Sequence, residues 1–385
     1  MKVLYLTHNF PSTPEDPAGS FVLRLASAVR SAGAEVAVLA PASRRAAGRD
    51  AVAGIAVERY RYAPRAWETL ASDGTMAEQV GSSWRARAAF LGMLLAGRGA
   101  LARAVRRERP DVIHAHWWVP AGMIAALPTS PRPLVITSHG SDIRLARGSR
   151  AATTLFRRVV GRASAVTTVS RWLADEAARL APHCAPIVAP MPVATERFAP
   201  VADRTSDRVL FVGRLNAQKG VAPLLEALAT VTVPWQLDVV GEGPDRAALE
   251  ALAHARGLAG RVHWHGSVPN EKLAPYYARA ACTVVPSADE GLGLVAVEAL
   301  LCGAPVVAYD SGGLRDVITS GVTGSLVPMN VLALARGITR VLANPDGARA
   351  EAMVGRTQML GRFSASAVAR RYLDLYRAVR DGSPA

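Results

Sequence analysis

The sequence predicts an α/β protein built from two Rossmann-like domains, each a parallel sheet covered by helices. Three observations carry the prediction. Short β-branched runs alternate with Ala/Leu/Arg-rich helical stretches along the chain, the pattern of βαβ units. That pattern restarts after a polar, Pro-containing stretch, "ERFAPVADRTSD" at 196–207. The 385 residues, 50% of them apolar, suffice for two to three domains of ordinary size.

In chain order, "KVLYLT" (2–7) reads as a first buried strand, "NFPSTPEDPAGS" (9–20) as a Pro/Gly loop and "FVLRLASAVRSAG" (21–33) as a helix. "EVAVLAP", "DVIHAH", "LVITSHG" and "AVTTVS" are further buried strands. Each ends in polar or small residues, and ligands bind at that edge of an open parallel sheet. The second half opens with the strand "RVLFVGRL" (208–215) and the helix "KGVAPLLEALATV" (219–231). "QLDVVGEG" (236–243) follows, then the helix "PDRAALEALAHARG" with Pro244 at an early helical position. "RVHWHG", "CTVVPS" and "PVVAYD" continue the sheet, and "SASAVARRYLDLYRAVR" (364–380) reads as one long helix. The predicted domains are 1–195 and 208–363, with a linker at 196–207 and a C-terminal helix and tail at 364–385.

Composition narrows the function. No apolar run approaches the roughly 20 residues that span a bilayer; the longest, "AFLGMLLA" at 89–96, is too short. The N-terminus lacks a signal-peptide pattern, and Cys184, Cys282 and Cys302 form neither a metal spacing nor a disulfide framework. Both features predict a cytoplasmic protein. The net charge of +14 raises nucleic-acid binding, but among 45 basic residues only Lys2, Lys219 and Lys272 are lysines. Such a bias reflects GC-rich coding, and the basic residues are not interleaved with aromatics as stacking grooves require; no nucleic-acid partner is expected. One cluster stands apart: 84–110 carries Arg85, Arg87, Arg98, Arg103, Arg106, Arg107 and Arg109 against Glu108 alone. With apolar residues at helical spacing, it predicts contact with an anionic membrane surface, a solvated helix face being the alternative.

Several motifs fall at strand ends. "GRLNAQKG" (213–220) places Arg214 just past a strand and Lys219 at a helix start, where a cation is disfavoured unless an anion sits there. "GEGP" supplies Gly241, Glu242, Gly243 and Pro244 without the third glycine of a dinucleotide fingerprint. In "EGLGLVAVEALLCGAPVVA" (290–308), a helix is expected over about 293–302, preceded by Glu290 and by glycines that let backbone amides approach a ligand. Glu298 falls on that helix, and a carboxylate accepts hydrogen bonds from both hydroxyls of a sugar. His114 and His116 in "HAHWW" lack a nearby Cys or carboxylate for metal binding; with Trp117 they are expected to line an acceptor side. There is no Asp-x-Asp motif of the metal-dependent kind.

Glu290-x7-Glu298, together with "FVGRL…KG", "GEGP", "EKLAPYYARA", "SGGLRDVI..GVTG" and "TTVSRWL", resembles the signature of family 4 glycosyltransferases, in that family's order and over nearly the whole chain. The resemblance implies a GT-B architecture: two Rossmann-like domains facing each other across a cleft, with the C-terminal helix crossing back. It implies a retaining, metal-independent transfer of a sugar, a hexosyl group, from a nucleotide-sugar substrate, with no cofactor. Arg214 and Lys219 would then contact the donor diphosphate, and Glu290 the donor sugar. The amides of Gly291, Leu292, Gly293 and Leu294 would hold sugar and phosphate, Glu298 the ribose, and 241–244 the base. In the N-terminal acceptor domain "PAGS" resembles the phosphate- and acceptor-facing loop at Gly19 and Ser20. "SHGSD" would bring His139 close to the reacting carbon, with Asp142 nearby. The acceptor would be a carbohydrate or a lipid-linked glycan of polysaccharide synthesis. A non-catalytic nucleotide-sugar binding partner and another GT-B enzyme, such as an epimerase, are the alternatives. Two positions depart from the family: "PMPVA" (190–194) lacks the usual polar residues, and Leu292 replaces a frequent Phe.

Overall fold

A computed structural model describes residues 1–16, 18–43, 46–71, 76–126, 131–202 and 204–383. Its contacts divide the chain into two units, Met1–Pro192 joined by the segment from Ala365 onward, and Val193–Ser364. The first unit contains β1 (Lys2–Leu6), α1 (Ser20–Ser31), β2 (Glu35–Pro41), β3 (Gly48–Val52), β4 (Ile55–Tyr60), α2 (Met76–Ser82), α3 (Trp84–Glu108) and β5 (Val112–His116). It continues with α4 (Met123–Ala126), β6 (Leu134–Ser138), α5 (Ser141–Arg147), α6 (Arg150–Val160), β7 (Ala165–Thr168), α7 (Arg171–Leu180) and β8 (Ile187–Val188). Its described strands form one sheet in the order β3-β4-β2-β1-β5-β6-β7-β8, parallel except for β3 against β4.

The second unit runs through β9 (Arg208–Val212), α8 (Val221–Leu228), β10 (Gln236–Val240), α9 (Arg246–Ala255), β11 (Val262–Gly266), α10 (Ala274–Arg279) and β12 (Cys282–Val285). Then come α11 (Leu294–Leu301), β13 (Val306–Tyr309), α12 (Leu314–Val317), β14 (Ser325–Val327), α13 (Val331–Ala343) and α14 (Pro345–Phe363). All its pairings are parallel, in the order β11-β10-β9-β12-β13-β14. Strands covered on both faces read as continuous apolar runs, which is why β9, β12 and β13 were visible without alternation. The final helix, α15 (Ala365–Arg380), packs on α1 and so belongs to the first unit. Fully buried Tyr376 and Tyr372 fix it there: the Tyr376 hydroxyl lies 2.7 Å from His114 Nδ1 and 3.1 Å from Tyr5 Oη, and the Tyr372 hydroxyl donates to the Ala189 carbonyl at 3.0 Å.

Several sequence expectations change. The antiparallel strand β3 and its partner β4 were not foreseen; the pair is an edge hairpin, four of whose first five residues are exposed, so it lacks an apolar run. The 196–207 stretch is not a free tether. Phe198 is buried against Tyr277, and the Arg204 guanidinium donates to the carbonyls of Ala280 and Cys302 at 3.0 and 2.9 Å. Pro244 precedes the helix, whose N-cap is Asp245.

Helix α3 has 25 residues and an 18-residue window of mean hydropathy 1.4, long and apolar enough to cross a membrane by length and composition. The reading of 89–96 as too short underestimated it, because small residues extend the apolar face. Yet Ala86, Ala89, Met93, Gly97, Ala100, Leu101 and Ala104 are buried against the first unit. A Cβ on Gly92 would stand 2.2 Å from the Tyr62 carbonyl oxygen. The helix is thus a packed layer of its domain.

Candidate functional site

In the second unit, the strand ends gather the residues expected to bind a donor. Lys219 does not start a helix. It ends a short 3-10 turn, Ala217–Lys219, capped by the Asn216 side chain, and Gly220 (φ +73°) separates that turn from α8. A Cβ on Gly220 would meet the Pro286 carbonyl oxygen at 2.0 Å, so the turn is pressed onto the end of β12. This placement aims the ammonium across the loop: Lys219 Nζ lies 2.7 Å from Glu290 Oε2, with both side chains mostly buried. Two residues separated by 71 positions therefore form one charge pair.

Around Glu290 the backbone is tightly drawn. Gly313 N donates to the Glu290 carbonyl at 2.8 Å, and Asp289 N donates to Ser311 Oγ at 3.0 Å. A Cβ on Gly312 would lie 2.3 Å from the Glu290 oxygen and one on Gly313 2.3 Å from the Gly291 oxygen. The 311–313 loop is thus the support for 289–292, and the Gly-Gly pair was the sequence signal for it. Gly293, in the left-handed region at φ +88°, caps α11, whose first residue Leu294 is exposed while Leu292 is buried. The amides opening α11 thus follow directly on Glu290, where helix geometry favours an anion.

Glu298, on the second turn of α11, is 8% exposed. Asn270 Nδ2 donates to its Oε1 at 3.0 Å and the Tyr277 hydroxyl to its Oε2 at 2.9 Å. Sequence reading missed both partners, which come from the segment before β12. If Glu298 holds the donor ribose, Glu298→Gln, which replaces one acceptor by a donor, should raise the KM for a ribonucleotide donor more than that for a dideoxy analogue. An unchanged preference between the two in steady-state kinetics would remove the ribose assignment.

The 241–244 loop sits beside Arg214. Gly213 N donates to the Val240 carbonyl and Leu215 N to the Glu242 carbonyl, both at 2.9 Å. A Cβ on Gly241 would stand 1.8 Å from the Gly213 oxygen, so this glycine is required by the contact between loops. Arg214 is exposed and forms no ion pair among the described residues, whereas Glu242 pairs with Arg246 at 3.2 Å.

The first unit holds a buried histidine cluster at the ends of β5 and β6. His114 bridges Tyr376 Oη and, at 2.6 Å, Thr137 Oγ1. His116 Nδ1 and His139 Nε2 are 3.2 Å apart, so one donates and the other accepts. The His139 ring also packs against Phe21 and Trp117, at centroid distances of 5.1 and 4.5 Å. Burial pushes the His114 imidazole down to about 3 and holds His116 and His139 well below their ordinary range, so all three are neutral at pH 7. Among the described residues no group of three or more His, Cys, Asp or Glu has the arrangement to hold a metal.

Several expectations here are corrected. His114 and His116, expected to line an acceptor side, have no exposed surface, and His116 stands behind His139. Asp142, 2% exposed, accepts from the amides of His139 (3.0 Å), Gly140 (3.1 Å) and Trp118 (3.3 Å), so it shapes the His139 loop from beneath. Burial raises its pKa in spite of those bonds. Ser20 opens α1, and its hydroxyl accepts from Arg24 at 3.0 Å. Gly19 caps that helix at φ +73°; a Cβ there would lie 2.3 Å from the Asn9 oxygen, while Pro17 of the same loop lies outside the described residues. Trp117 (φ +67°) adopts a backbone conformation costly for a bulky side chain, of order 1–3 kcal/mol, of the kind that clusters at functional sites.

Residues 18–197 match the model of Glycosyltransferase Family 4, and residues 193–357 that of Glycosyl transferases group 1. A D-inositol 3-phosphate glycosyltransferase of Xylanimonas cellulosilytica is 34% identical over 71% of this chain and 73% of its own. The chain belongs to the family 4 glycosyltransferases. The alpha-maltose-1-phosphate synthase of Mycolicibacterium smegmatis is 30% identical over 71% of this chain and 80% of its own. A putative teichuronic acid biosynthesis glycosyltransferase of Bacillus subtilis is 32% identical, the match spanning 61% of that protein. Among solved structures, sucrose-phosphate synthase of Thermosynechococcus elongatus superposes with a TM-score of 0.81 at 25% identity, covering 100% of both chains. An Anabaena protein solved with UDP and glucose gives 0.72 at 20% identity over 98% of this chain and 100% of its own, which speaks for the fold alone. The fold is GT-B, and the chain is a nucleotide-sugar-dependent glycosyltransferase; its relatives do not favour a non-catalytic binding partner or an epimerase.

Proposed function

We propose that this glycosyltransferase moves a hexosyl group, with retention and without a metal, from a nucleotide sugar bound by the second unit to a hydroxyl of a carbohydrate or lipid-linked glycan. The Lys219–Glu290 pair beside the amides that open α11 carries the reading. Departure of a nucleoside diphosphate develops negative charge that needs fixed cations and N–H donors. Lys219, Arg214 and the amides at 292–294 supply them, the role a divalent cation has elsewhere. Glu290, released from Lys219 when phosphate takes the ammonium, is freed to accept from sugar hydroxyls. His139, neutral and backed by His116, offers a ring nitrogen to a sugar hydroxyl without adding charge. The acceptor side is proposed to work at the cytoplasmic face of a membrane, with the arginines of 84–110 toward anionic headgroups.

A thermal-shift screen with UDP, GDP and ADP sugars tests the donor site, since a ligand of the folded state raises its melting temperature. One nucleotide class is expected to raise it by several degrees, and the rise should survive EDTA. No shift with any of them, or a shift abolished by EDTA, would refute the metal-free diphosphate site. The product anomer read by NMR decides retention, and nucleoside diphosphate released only in the presence of acceptor separates transfer from epimerisation.

A further inference from the structure

We infer that the outward face of α3 is a membrane-docking surface that lies flat in an anionic lipid interface. The 3.6-residue period puts Trp84, Ala88, Leu91, Leu95, Arg98, Ala102 and Arg106 on one face, opposite the buried face of the same helix. Trp84, Leu91 and Leu95 are 66%, 61% and 75% exposed, among the most exposed large apolar side chains of the described residues. A folded protein in water rarely places three of these along one stripe.

The flanking chemistry selects the partner. No Asp or Glu occurs from Trp84 to Arg107, while Arg85, Arg98, Arg103 and Arg106 are exposed. At the N-terminal end Trp84 meets Trp67 edge-to-face at 5.4 Å, and the Arg85 guanidinium lies within 6 Å of both rings, at 5.9 and 5.7 Å. Tryptophans with apolar bodies and polar edges settle at headgroup depth, and arginines beside them pair with lipid phosphate. An apolar stripe on a helix that carries exposed arginines and no acid from Trp84 to Arg107 is complementary to an anionic bilayer surface. The opposite face excludes a spanning orientation, because Gly92 and Gly97 are in close contact with Tyr62, Ile124 and Tyr60. The inference rests on the proposed function for the lipid-linked acceptor only, and it moves the contact. Arg107, which sequence reading counted toward the lipid, is taken by Glu58 and Glu108 at 2.5 and 2.7 Å. The apolar anchor at Trp84, Leu91 and Leu95 replaces it.

The test is flotation of the full chain with phosphatidylglycerol-containing vesicles and with pure phosphatidylcholine vesicles, without donor or acceptor. Binding is expected to the anionic vesicles and to weaken at high salt. Trp84→Ser with Leu91→Ser and Leu95→Ser should lose at least about tenfold in partitioning. Arg98→Ser and Arg106→Ser should each lose roughly fivefold on anionic vesicles only. Leu91, Leu95, Arg98 and Arg106 are exposed, so their loss should leave the melting temperature unchanged, and loss of the Trp84–Trp67 contact should lower it by about a few degrees only; Val354→Ser, at an exposed position of the second unit, should bind as the parent does. No binding by the parent chain, or equal binding by the triple variant, overturns the inference. So does a concentration-dependent dimer abolished by the triple variant without vesicle binding, which would assign the face to a second copy of the chain. A thermal shift with the donor in the same variants reads the catalytic proposal separately.

Discussion

Lys219→Ala is expected to weaken binding of a nucleoside diphosphate by roughly ten- to a hundredfold, the worth of one charge-assisted hydrogen bond. Binding of the corresponding nucleoside should hold, because the ammonium sits with Glu290 at the loop before α11. The loss of kcat/KM should be larger, about two to three orders of magnitude, since charge on the leaving group grows toward the transition state. Removing the ammonium also leaves Glu290 without its cation, its side chain 17% exposed. Lys219→Ala and Glu290→Gln should therefore be strongly non-additive, the double variant falling well short of the product of the single effects. Calorimetry with nucleoside and nucleoside diphosphate measures the first expectation, and a double-mutant cycle in kcat/KM the second. Equal affinity loss for both ligands would remove the phosphate role.

A steep acid instability of the first unit is the second large expectation. His114 titrates at about 3 in the folded chain against 6.5 when exposed, because burial disfavours its charged form. The pKa of the folded state is depressed, so the unfolded chain binds the extra proton between pH 6.5 and 3, and stability falls as pH falls through that window. Each pH unit removes about 1.4 kcal/mol for His114 alone. His116 and His139 shift in the same direction for the same reason, and burial brings His8 down to about 4. Set against a typical stability of roughly 5–15 kcal/mol, losses in that direction should destabilise the unit strongly in mild acid. Urea unfolding by near-UV circular dichroism from pH 7.5 to 4.5 measures the slope. In His114→Gln that slope should drop by about one proton whatever the variant's absolute stability. A flat dependence in the parent chain would show that these imidazoles are not held neutral by the fold.

Much of the architecture was legible because its signals are local. Parallel strands covered on both faces leave unbroken apolar runs, and the glycines at 241 and 293 mark places where only a missing Cβ fits, against Gly213 and Leu314. The helix after Glu290 was placed to within a residue, at Leu294–Leu301. Boundaries set by a single left-handed glycine were not: Gly220 ends a 3-10 turn, so Lys219 stands ahead of its helix. The hairpin β3–β4 escaped because an exposed edge leaves no apolar pattern.

By itself, the sequence determined two βα-repeating halves, a pair of acids in an apolar helix and a lysine in an arginine-rich chain. Periodicity and residue type act over a few neighbours and are written in order. Only the tertiary structure decided which of those residues meet. It gave Lys219 to Glu290, gave Glu298 to Asn270 and Tyr277, placed His116 behind His139 and turned Asp142 inward to three backbone amides. Apart from the local bonds of Asp142 to His139 and Gly140, those pairings depend on strand order and loop closure across 21 to 71 residues, a distance over which composition carries no record of direction.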